Sequence, residues 1–199
     1  GMDPTEVGRA VTAAAKRAEN APAEPERPKY GAPATEQAPR PRGVNLMELP
    51  TDPVTRMERD ALMAILQYPN LVGAGLVAKA AEVRFSNPTL GIVRDGFAAN
   101  LAHAESSEWV QRIADEVPQE FSTLVTQLAI APIPERQSQL PLYCQGVVTS
   151  LVDRDLLRRK AEALGAMQRA RAEGDQERVA ELSRVTVALE SERRELRGE

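Results

Sequence analysis

The sequence predicts an all-α protein: a helical bundle followed by a long helix and a C-terminal antiparallel helical hairpin. Three observations lead to this prediction. Aromatic residues make up only 4% of the 199 residues, whereas strong helix formers such as Ala, Leu, Glu, Arg and Gln are abundant. No segment alternates apolar with polar residues as an exposed strand would. Apolar residues instead recur at spacings of three and four between helix-capping residues.

The first 45 residues differ in composition from the rest of the chain. Gly1 before Met2 is interpreted as the remnant of an expression tag, and the remainder of residues 1–18 as a residual helix from a preceding domain. Residues 19–45 contain six prolines among Ala, Glu and Arg. This composition predicts a flexible, extended linker.

The segment 52–71 predicts the first helix of a bundle that spans residues 46–142. Asp52 is a good N-cap, Pro53 suits the first helical position, and Pro69 marks the end. The stripe predicted to face the core contains Val54, Met57, Ala61, Leu62, Ile65 and Leu66. The residues predicted to lie off this stripe are Thr55, Arg56, Glu58, Arg59 and Asp60.

Three further amphipathic helices are predicted in the bundle. The first starts at Asn87 and Pro88, the second at Ser107 and the third at Pro118. Their apolar positions are Leu90, Val93, Phe97 and Leu101, then Trp109, Ile113 and Val117, then Phe121, Leu124, Val125 and Leu128. Short helices such as these are not stable alone in water, so they are expected to share one core.

Residues 143–199 are predicted to form a long helix and the hairpin. Residues 143–172 contain no proline, and Gly174 and Asp175 form a corner before a last helix over 176–197. That helix places Leu182, Leu189 and Leu196 seven residues apart, with Val179, Val185 and Val187 nearby. We expect Leu157, Ala161 and Leu164 of the long helix to face them across a thin apolar seam.

The residue types needed for catalysis or metal binding are scarce. His103 is the only histidine and is expected to be solvated at a helix end. Cys144 is the only cysteine; we interpret it as a small buried apolar residue and expect a reducing, cytoplasmic setting. Asp153 and Asp155 would point to different faces of a helix and are predicted to be solvated. No catalytic, cofactor-binding or metal-binding residues are therefore expected.

Two other motifs have simple structural interpretations. Gly73 and Gly75 resemble part of a phosphate-binding loop, but no strand precedes them and no Lys-Ser/Thr pair follows, so a turn between helices is predicted. Trp109 lies on an apolar helix face and is predicted to be a core residue. With a net charge of −4 the chain has no general attraction for nucleic acid, and direct binding is expected to be weak or absent.

The order of these segments resembles the C-terminal helicase-binding domain of bacterial DNA primase. The similarity starts where Arg59 precedes an apolar run that ends in Leu66, Gln67, Tyr68, Pro69, Asn70 and Leu71. It continues through the helix over 87–101 and the hairpin, and so covers residues 52–199. The segment DPTEVGRAVTAAAKRA is similar to the end of that enzyme's polymerase core, and the proline-rich stretch corresponds to the family's variable linker.

The resemblance implies a non-catalytic docking domain of a primase. Such domains bind the N-terminal region of the replicative hexameric helicase, chiefly through the hairpin, and can stimulate it. The hairpin residues expected to take part are Val179, Leu182, Val185, Leu189 and Arg193. The bundle can also receive the acidic, aromatic-ended tail of single-stranded DNA-binding protein, and Arg56 and Arg59 are expected at that site. The fragment itself is not expected to be an enzyme or to need a cofactor.

A second hypothesis remains open at this stage. The apolar seam of the last helix could pair between chains, which would make the protein a coiled-coil self-association module without a primase role. The helicase-binding hypothesis expects a monomer. It also expects a chain that ends near Leu142 to keep a folded bundle but to lose helicase binding.

Overall fold

The computed structural model describes residues 43–198, which belong to one compact unit with eight α-helices and no β-strand. The all-α prediction is therefore confirmed. The helices are α1 (Pro53–Gln67), α2 (Pro69–Val72), α3 (Ala74–Ala81), α4 (Pro88–Ala99), α5 (Trp109–Glu116), α6 (Gln119–Ile130), α7 (Leu140–Glu173) and α8 (Gln176–Arg197). The predicted tag remnant, residual helix and nearly all of the predicted linker lie outside the described residues.

Helix capping follows the sequence signals. The Asp52 carboxylate accepts hydrogen bonds from the amides of Val54 and Thr55, both at 3.0 Å, and Pro53 opens α1. The Asn87 side chain caps α4 by accepting from the Leu90 amide at 3.2 Å. Pro69 does end α1, but it also begins the one-turn helix α2, so the predicted helix over 52–71 divides at Tyr68.

The buried face of α1 differs from the predicted stripe near its start. Thr55 and Glu58 are buried, although both were predicted to lie off the stripe, whereas Val54 and Met57 are only half-buried. From residue 61 to residue 66 every side chain is buried, because α1 packs against α2, α4, α6 and α7. Periodicity could not show this, since it assumes that a helix has one solvated face.

The core forms where the bundle helices meet α1. Its largest fully buried side chains include Phe97, Leu62, Ile65, Leu90, Ile113, Leu124 and Leu128. Trp109 is 2% exposed, its Nε1 donates to the Ile65 carbonyl at 3.3 Å, and its ring centroid lies 6.5 Å from that of Phe97. These contacts confirm the prediction that Trp109 is a core residue.

The long helix α7 contributes to the same core. It begins at Leu140, three residues before the predicted start, and its 34 residues span about 51 Å. The buried apolar side chains of its first half are Leu140, Cys144, Val148, Leu151, Val152 and Leu156, so Cys144 is buried as expected. The predicted division at residue 142 thus falls inside α7. A chain that ends near Leu142 lacks most of these side chains, so the structure argues against the expectation that it keeps a folded bundle.

A tight corner joins α7 to α8. Gly174 has φ +77°, which favours glycine, and its amide donates to the carbonyls of Ala170 and Arg171. The Asp175 carboxylate accepts from the Arg178 amide at 2.8 Å and so caps α8. Both residues act as predicted. Within residues 43–198, no helix is long and apolar enough to span a membrane.

Candidate docking surfaces

The hairpin is held by one row of side chains from each helix. On α8, this row consists of Val179, Leu182, Thr186, Leu189, Arg193 and Leu196, which are all buried or half-buried. On α7, it consists of Asp153, Leu156, Lys160, Ala163, Met167 and Ala170, which are also all buried or half-buried. Both rows alternate steps of three and four residues, which is the pattern of an antiparallel coiled coil. We call these twelve residues the hairpin seam.

The α7 side of the hairpin seam differs from the prediction by one residue. Leu157, Ala161 and Leu164 were expected to face α8, but all three are exposed, and each follows a seam residue directly. The prediction favoured the large apolar side chains. In the structure the small Ala163 and Ala170 fill the seam instead, because small residues let the two helix backbones approach closely.

Ion pairs complete the hairpin seam at its bundle end. Asp153 Oδ1 lies 2.6 Å from Arg193 Nε, and Asp153 Oδ2 lies 2.8 Å from Arg197 Nη2. Lys160 Nζ donates to Glu190 Oε2 at 2.6 Å. Glu190 Oε1 lies farther from Arg194 Nε, at 4.0 Å.

These pairs shift the acidity of both carboxylates. Burial pushes the pKa of Asp153 upward, but the hydrogen bonds from Arg197 and Arg193 outweigh burial and hold that pKa below its ordinary value. The hydrogen bond from Lys160 likewise lowers the pKa of Glu190. Both carboxylates are therefore ionised at neutral pH and keep their partners.

The prediction that Asp153 and Asp155 are solvated is wrong. Asp153 belongs to the hairpin seam, and Asp155 is only 5% exposed. Asp155 accepts a hydrogen bond from the Arg84 amide at 3.3 Å and pairs with Arg158. The two carboxylates do point to different faces of α7, but each face packs on another element that offers donors. His103, in contrast, is exposed in a short 3₁₀ helix, as expected.

The five hairpin residues predicted to bind a helicase occupy different environments. Leu182 and Leu189 are 7% and 5% exposed, and Arg193 is paired with Asp153. Val179 is half-buried in the same seam, whereas Val185 is 41% exposed. The large apolar side chains that the hairpin exposes are Leu157, Leu164, Val185 and Val187. We call these four residues together the hairpin surface; Val185 and Val187, two positions apart on α8, lie on different sides of that helix.

Two adjoining grooves lie beside Arg56 and Arg59, the residues predicted to bind an acidic tail. The first measures about 480 Å³ and is lined by Pro53, Arg56, Met57, Asp60, Tyr143, Gly146, Val147 and Ser150. The second measures about 320 Å³ and is lined by Leu46, Met47, Arg59, Asp60, Met63, Ala131, Pro132, Pro134 and Tyr143. Asp60 and Tyr143 line both, so we call them together the Tyr143 grooves.

The two arginines differ in how they are held. Arg56 is exposed, and its Nη2 donates to the Thr51 carbonyl at 3.0 Å. Arg59 binds the neighbouring Asp60: its Nε and Nη2 lie 2.9 and 2.7 Å from the same carboxylate oxygen. Burial and the charge of Asp60 raise the pKa of Tyr143, so its phenol is neutral at pH 7.

Asp60 and Tyr143 are the residues that sequence reasoning missed at this site. Asp60 was visible as the direct neighbour of Arg59, but Tyr143 joins the site only because α7 starts early and crosses α1.

Gly73, with φ +91°, forms the predicted turn between α2 and α3, whereas Gly75 lies inside α3. No group of acidic, His and Cys side chains suited to a metal ion occurs in the described part of the chain.

Comparison with known proteins agrees with this architecture. Residues 58–197 match the family model described as DNA primase DnaG DnaB-binding. The DNA primase of Mycobacterium leprae (strain TN) is 29% identical over 170 residues, which cover 83% of this chain and 25% of that protein. The DNA primase of Mycobacterium tuberculosis (strain ATCC 25618 / H37Rv) is 30% identical over 175 residues, or 86% and 26%.

A solved structure is also similar. It is described as the helicase binding domain of primase from Mycobacterium tuberculosis, with a TM-score of 0.56 and 26% identity, covering 71% of this chain and 89% of that one. The chain spans about a quarter of the length of the primases it matches. Since the family model covers most of the chain, including the bundle and the hairpin, the chain belongs to the DnaB-binding domain family of DNA primase DnaG.

Proposed function

We propose that this chain is the docking domain of a DNA primase and binds the N-terminal region of the replicative hexameric helicase through the α7–α8 hairpin. The observation that carries this proposal is the hairpin surface. Leu157, Leu164, Val185 and Val187 are 38 to 68% exposed, and several exposed apolar side chains on one element can mark a protein interaction site. Their exposure is understandable if a partner covers them.

The five hairpin residues named from the sequence have two different roles, which are to hold the hairpin together and to contact the helicase directly. Leu182, Leu189 and Arg193 hold the hairpin closed, so their loss would weaken helicase binding indirectly. Val185 is exposed and can make direct contact, whereas Val179 lies half-buried in the seam. A change such as Leu189→Asp would therefore reduce binding whether or not Leu189 touches the helicase.

A sharper test changes exposed residues only. Leu164→Asp and Val187→Asp should leave the fold intact and weaken calorimetric binding to the intact hexameric helicase by roughly tenfold or more, as expected for a contact worth over 1 kcal/mol. Ile130→Asp is the matched control, because Ile130 is also exposed, at 75%, but lies on the bundle. Unchanged affinity in both hairpin variants would contradict the proposed contact, and no binding by the unchanged chain would contradict the function.

The proposal includes the cellular role. Full-length primase would synthesise RNA primers with a polymerase core outside this chain, in the cytoplasm, while this domain holds it at the helicase without any catalytic residue or cofactor of its own. Stimulation of the helicase would follow if docking favours its active arrangement. Unwinding rates with and without the chain test this step.

Self-association is the competing function. The hairpin seam closes within one chain, where Leu182 and Leu189 are already buried, so a second copy would have to replace these contacts or use the hairpin surface instead. We therefore propose a monomer. Sedimentation across a concentration series tests it: a stable dimer at micromolar protein would favour the self-association hypothesis.

A second candidate function is supported by the Tyr143 grooves. They combine apolar walls with two arginines, which suits the acidic, aromatic-ended tail of single-stranded DNA-binding protein: an apolar end would enter a groove while carboxylates meet Arg56 and Arg59. Titration of the chain with a labelled peptide of this kind tests the proposal. Arg59→Ala and Arg56→Ala should each weaken binding, and Arg112→Ala is a control for the loss of one exposed positive charge elsewhere.

A further inference from the structure

We propose that Asp60 is an internal competitor for the Arg59 guanidinium, so that the Tyr143 grooves accept only peptides acidic enough to displace it. This inference rests on the second candidate function above. It gives Asp60 a role in peptide binding for the first time, and it predicts that removing the negative charge of Asp60 will strengthen the binding of an acidic peptide.

The geometry of the pair is the first step of the argument. Nε and Nη2 of Arg59 both bind Asp60 Oδ1, at 2.9 and 2.7 Å. These two nitrogens form the side of the guanidinium that best fits an incoming carboxylate. A peptide carboxylate must therefore displace Asp60 from this side or bind the other end of the guanidinium, through Nη1 and the second N–H of Nη2, with the Asp60 charge close by.

Exposure shows that displacement is feasible. The side chains of Arg59 and Asp60 are 34% and 24% exposed, so the pair lies at the surface rather than in the core. Ion pairs of this kind contribute roughly 0.2 to 1 kcal/mol, which is little enough for an external carboxylate to compete. Asp60 is thus expected to reduce the affinity for an acidic peptide without abolishing it.

Arg56 makes the competition selective. It has no carboxylate partner within the described residues, since its guanidinium bonds only to the Thr51 carbonyl. Arg56 can hold a first acidic residue at one groove while Asp60 still occupies Arg59 beside the other groove. A peptide with several carboxylates can then displace Asp60, whereas a peptide with one would gain little from doing so.

The test is a fluorescence-anisotropy titration of the intact chain with a labelled peptide that carries several aspartates and a C-terminal phenylalanine. Asp60→Asn should tighten binding by roughly two- to fivefold, the range expected for loss of a partly exposed pair. The matched control is Asp95→Asn, because Arg94 and Asp95 form the same kind of neighbouring pair at 2.7 Å on α4. A second peptide with asparagine in place of aspartate should show no gain with Asp60→Asn.

Each outcome supports or overturns the proposal. A gain confined to Asp60→Asn and to the acidic peptide supports it. An equal gain with Asp95→Asn shows that only net charge matters, and this overturns it. A third outcome is that the unchanged chain binds the peptide and Arg59→Ala weakens binding, but Asp60→Asn has no effect. The peptide site is then supported, and the proposed competition by Asp60 is wrong. If neither form binds the peptide, the site itself is wrong. Binding to the helicase is measured separately, and none of these outcomes bears on the proposal that the hairpin binds the helicase.

Discussion

Asp153 on α7 binds Arg193 on α8, with 2.6 Å between Oδ1 and Nε, inside the hairpin seam, whose only other charged member is Lys160. The two side chains are only 16% and 17% exposed, so solvent screens their attraction less than at the surface. Arg197 binds the other oxygen of Asp153. A charged pair at such a position can fix the register of two helices, because a shifted register would bury each charge alone.

We predict that Asp153→Asn destabilises the hairpin. The asparagine side chain keeps the shape of aspartate but loses its charge, and Arg193 then lacks a full partner in a partly buried position. The free energy of unfolding should fall by about 2 kcal/mol, the scale of hydrogen bonds to charged groups. Urea unfolding followed by circular dichroism measures it. Asp95→Asn, at a position with a 69% exposed side chain, should change stability far less; equal losses in both variants would contradict the role of Asp153.

The contribution of Asp153 should also depend on pH. Its pKa is held below the ordinary value in the folded protein, so its stabilisation is fully present above the unfolded pKa of about 4 and is lost as pH falls through the folded value. The difference in unfolding free energy between the unchanged chain and Asp153→Asn should therefore be constant near pH 7 and shrink below about pH 4. A difference that stays constant down to pH 2 would show that charge is not the cause.

Elements with local signals were predictable from the sequence, and elements that depend on partners were not. Asp52 and Asn87 cap their helices as expected, and Gly174 and Asp175 form the predicted corner, because each needs only neighbouring backbone amides or a positive φ. Glu58 is the opposite case. Its burial requires donors 28 residues away in sequence, which no periodicity can reveal.

The same reasoning explains the outcome at the candidate sites. Arg56 and Arg59 were named from the sequence, but the grooves beside them depend on where α7 crosses α1, and only the structure brings in Tyr143. In the hairpin, Val179, Leu182, Leu189 and Leu196 of α8 were identified correctly, but Val185 and Val187 are exposed, and the α7 row was displaced by one residue. The place of Lys160 in the seam could not be predicted, because its partner, Glu190, lies 30 residues along the chain.

Glu58 provides a prediction about the bundle. It is 0% exposed and accepts hydrogen bonds from the amides of Ser86 and Asn87 at 2.6 and 3.0 Å, with Arg154 at 3.5 Å. Glu58→Ala leaves both amides without acceptors and should cost about 3 kcal/mol, whereas Glu58→Gln keeps one oxygen and should cost less. Thermal unfolding measures both. Faster hydrogen exchange at residues 86 and 87 should accompany Glu58→Ala, and equal stability of the two variants would contradict this account.

Truncation should separate the bundle from the hairpin at a later point than the sequence suggested. A chain that ends at Gly174 keeps every α7 side chain of the core and loses from it only Leu189 and the half-buried Leu196, so it should still unfold cooperatively. A chain that ends at Leu142 lacks five α7 residues of the shared hydrophobic core, namely Cys144, Val148, Leu151, Val152 and Leu156, and should not unfold cooperatively. Calorimetric unfolding distinguishes them. A cooperative transition in the shorter chain would show that α7 is dispensable for the core.

Gly96 tests how closely α4 packs against α5. A Cβ atom at this position would lie 2.6 Å from Val117 Cγ1 and 3.3 Å from Ile113 Cγ2, and both neighbours are buried. Gly96→Ala should therefore destabilise the protein by about 1 to 3 kcal/mol, since the core must move to accept one methyl group. Gly146→Ala is the matched control, because Gly146 is also helical but a Cβ atom added there would meet nothing within 4 Å. That change should be neutral or stabilise by up to about 1 kcal/mol through helix propensity. Melting temperatures that move in opposite directions would support the close approach, whereas a stabilised Gly96→Ala variant would show that α4 and α5 can separate without loss.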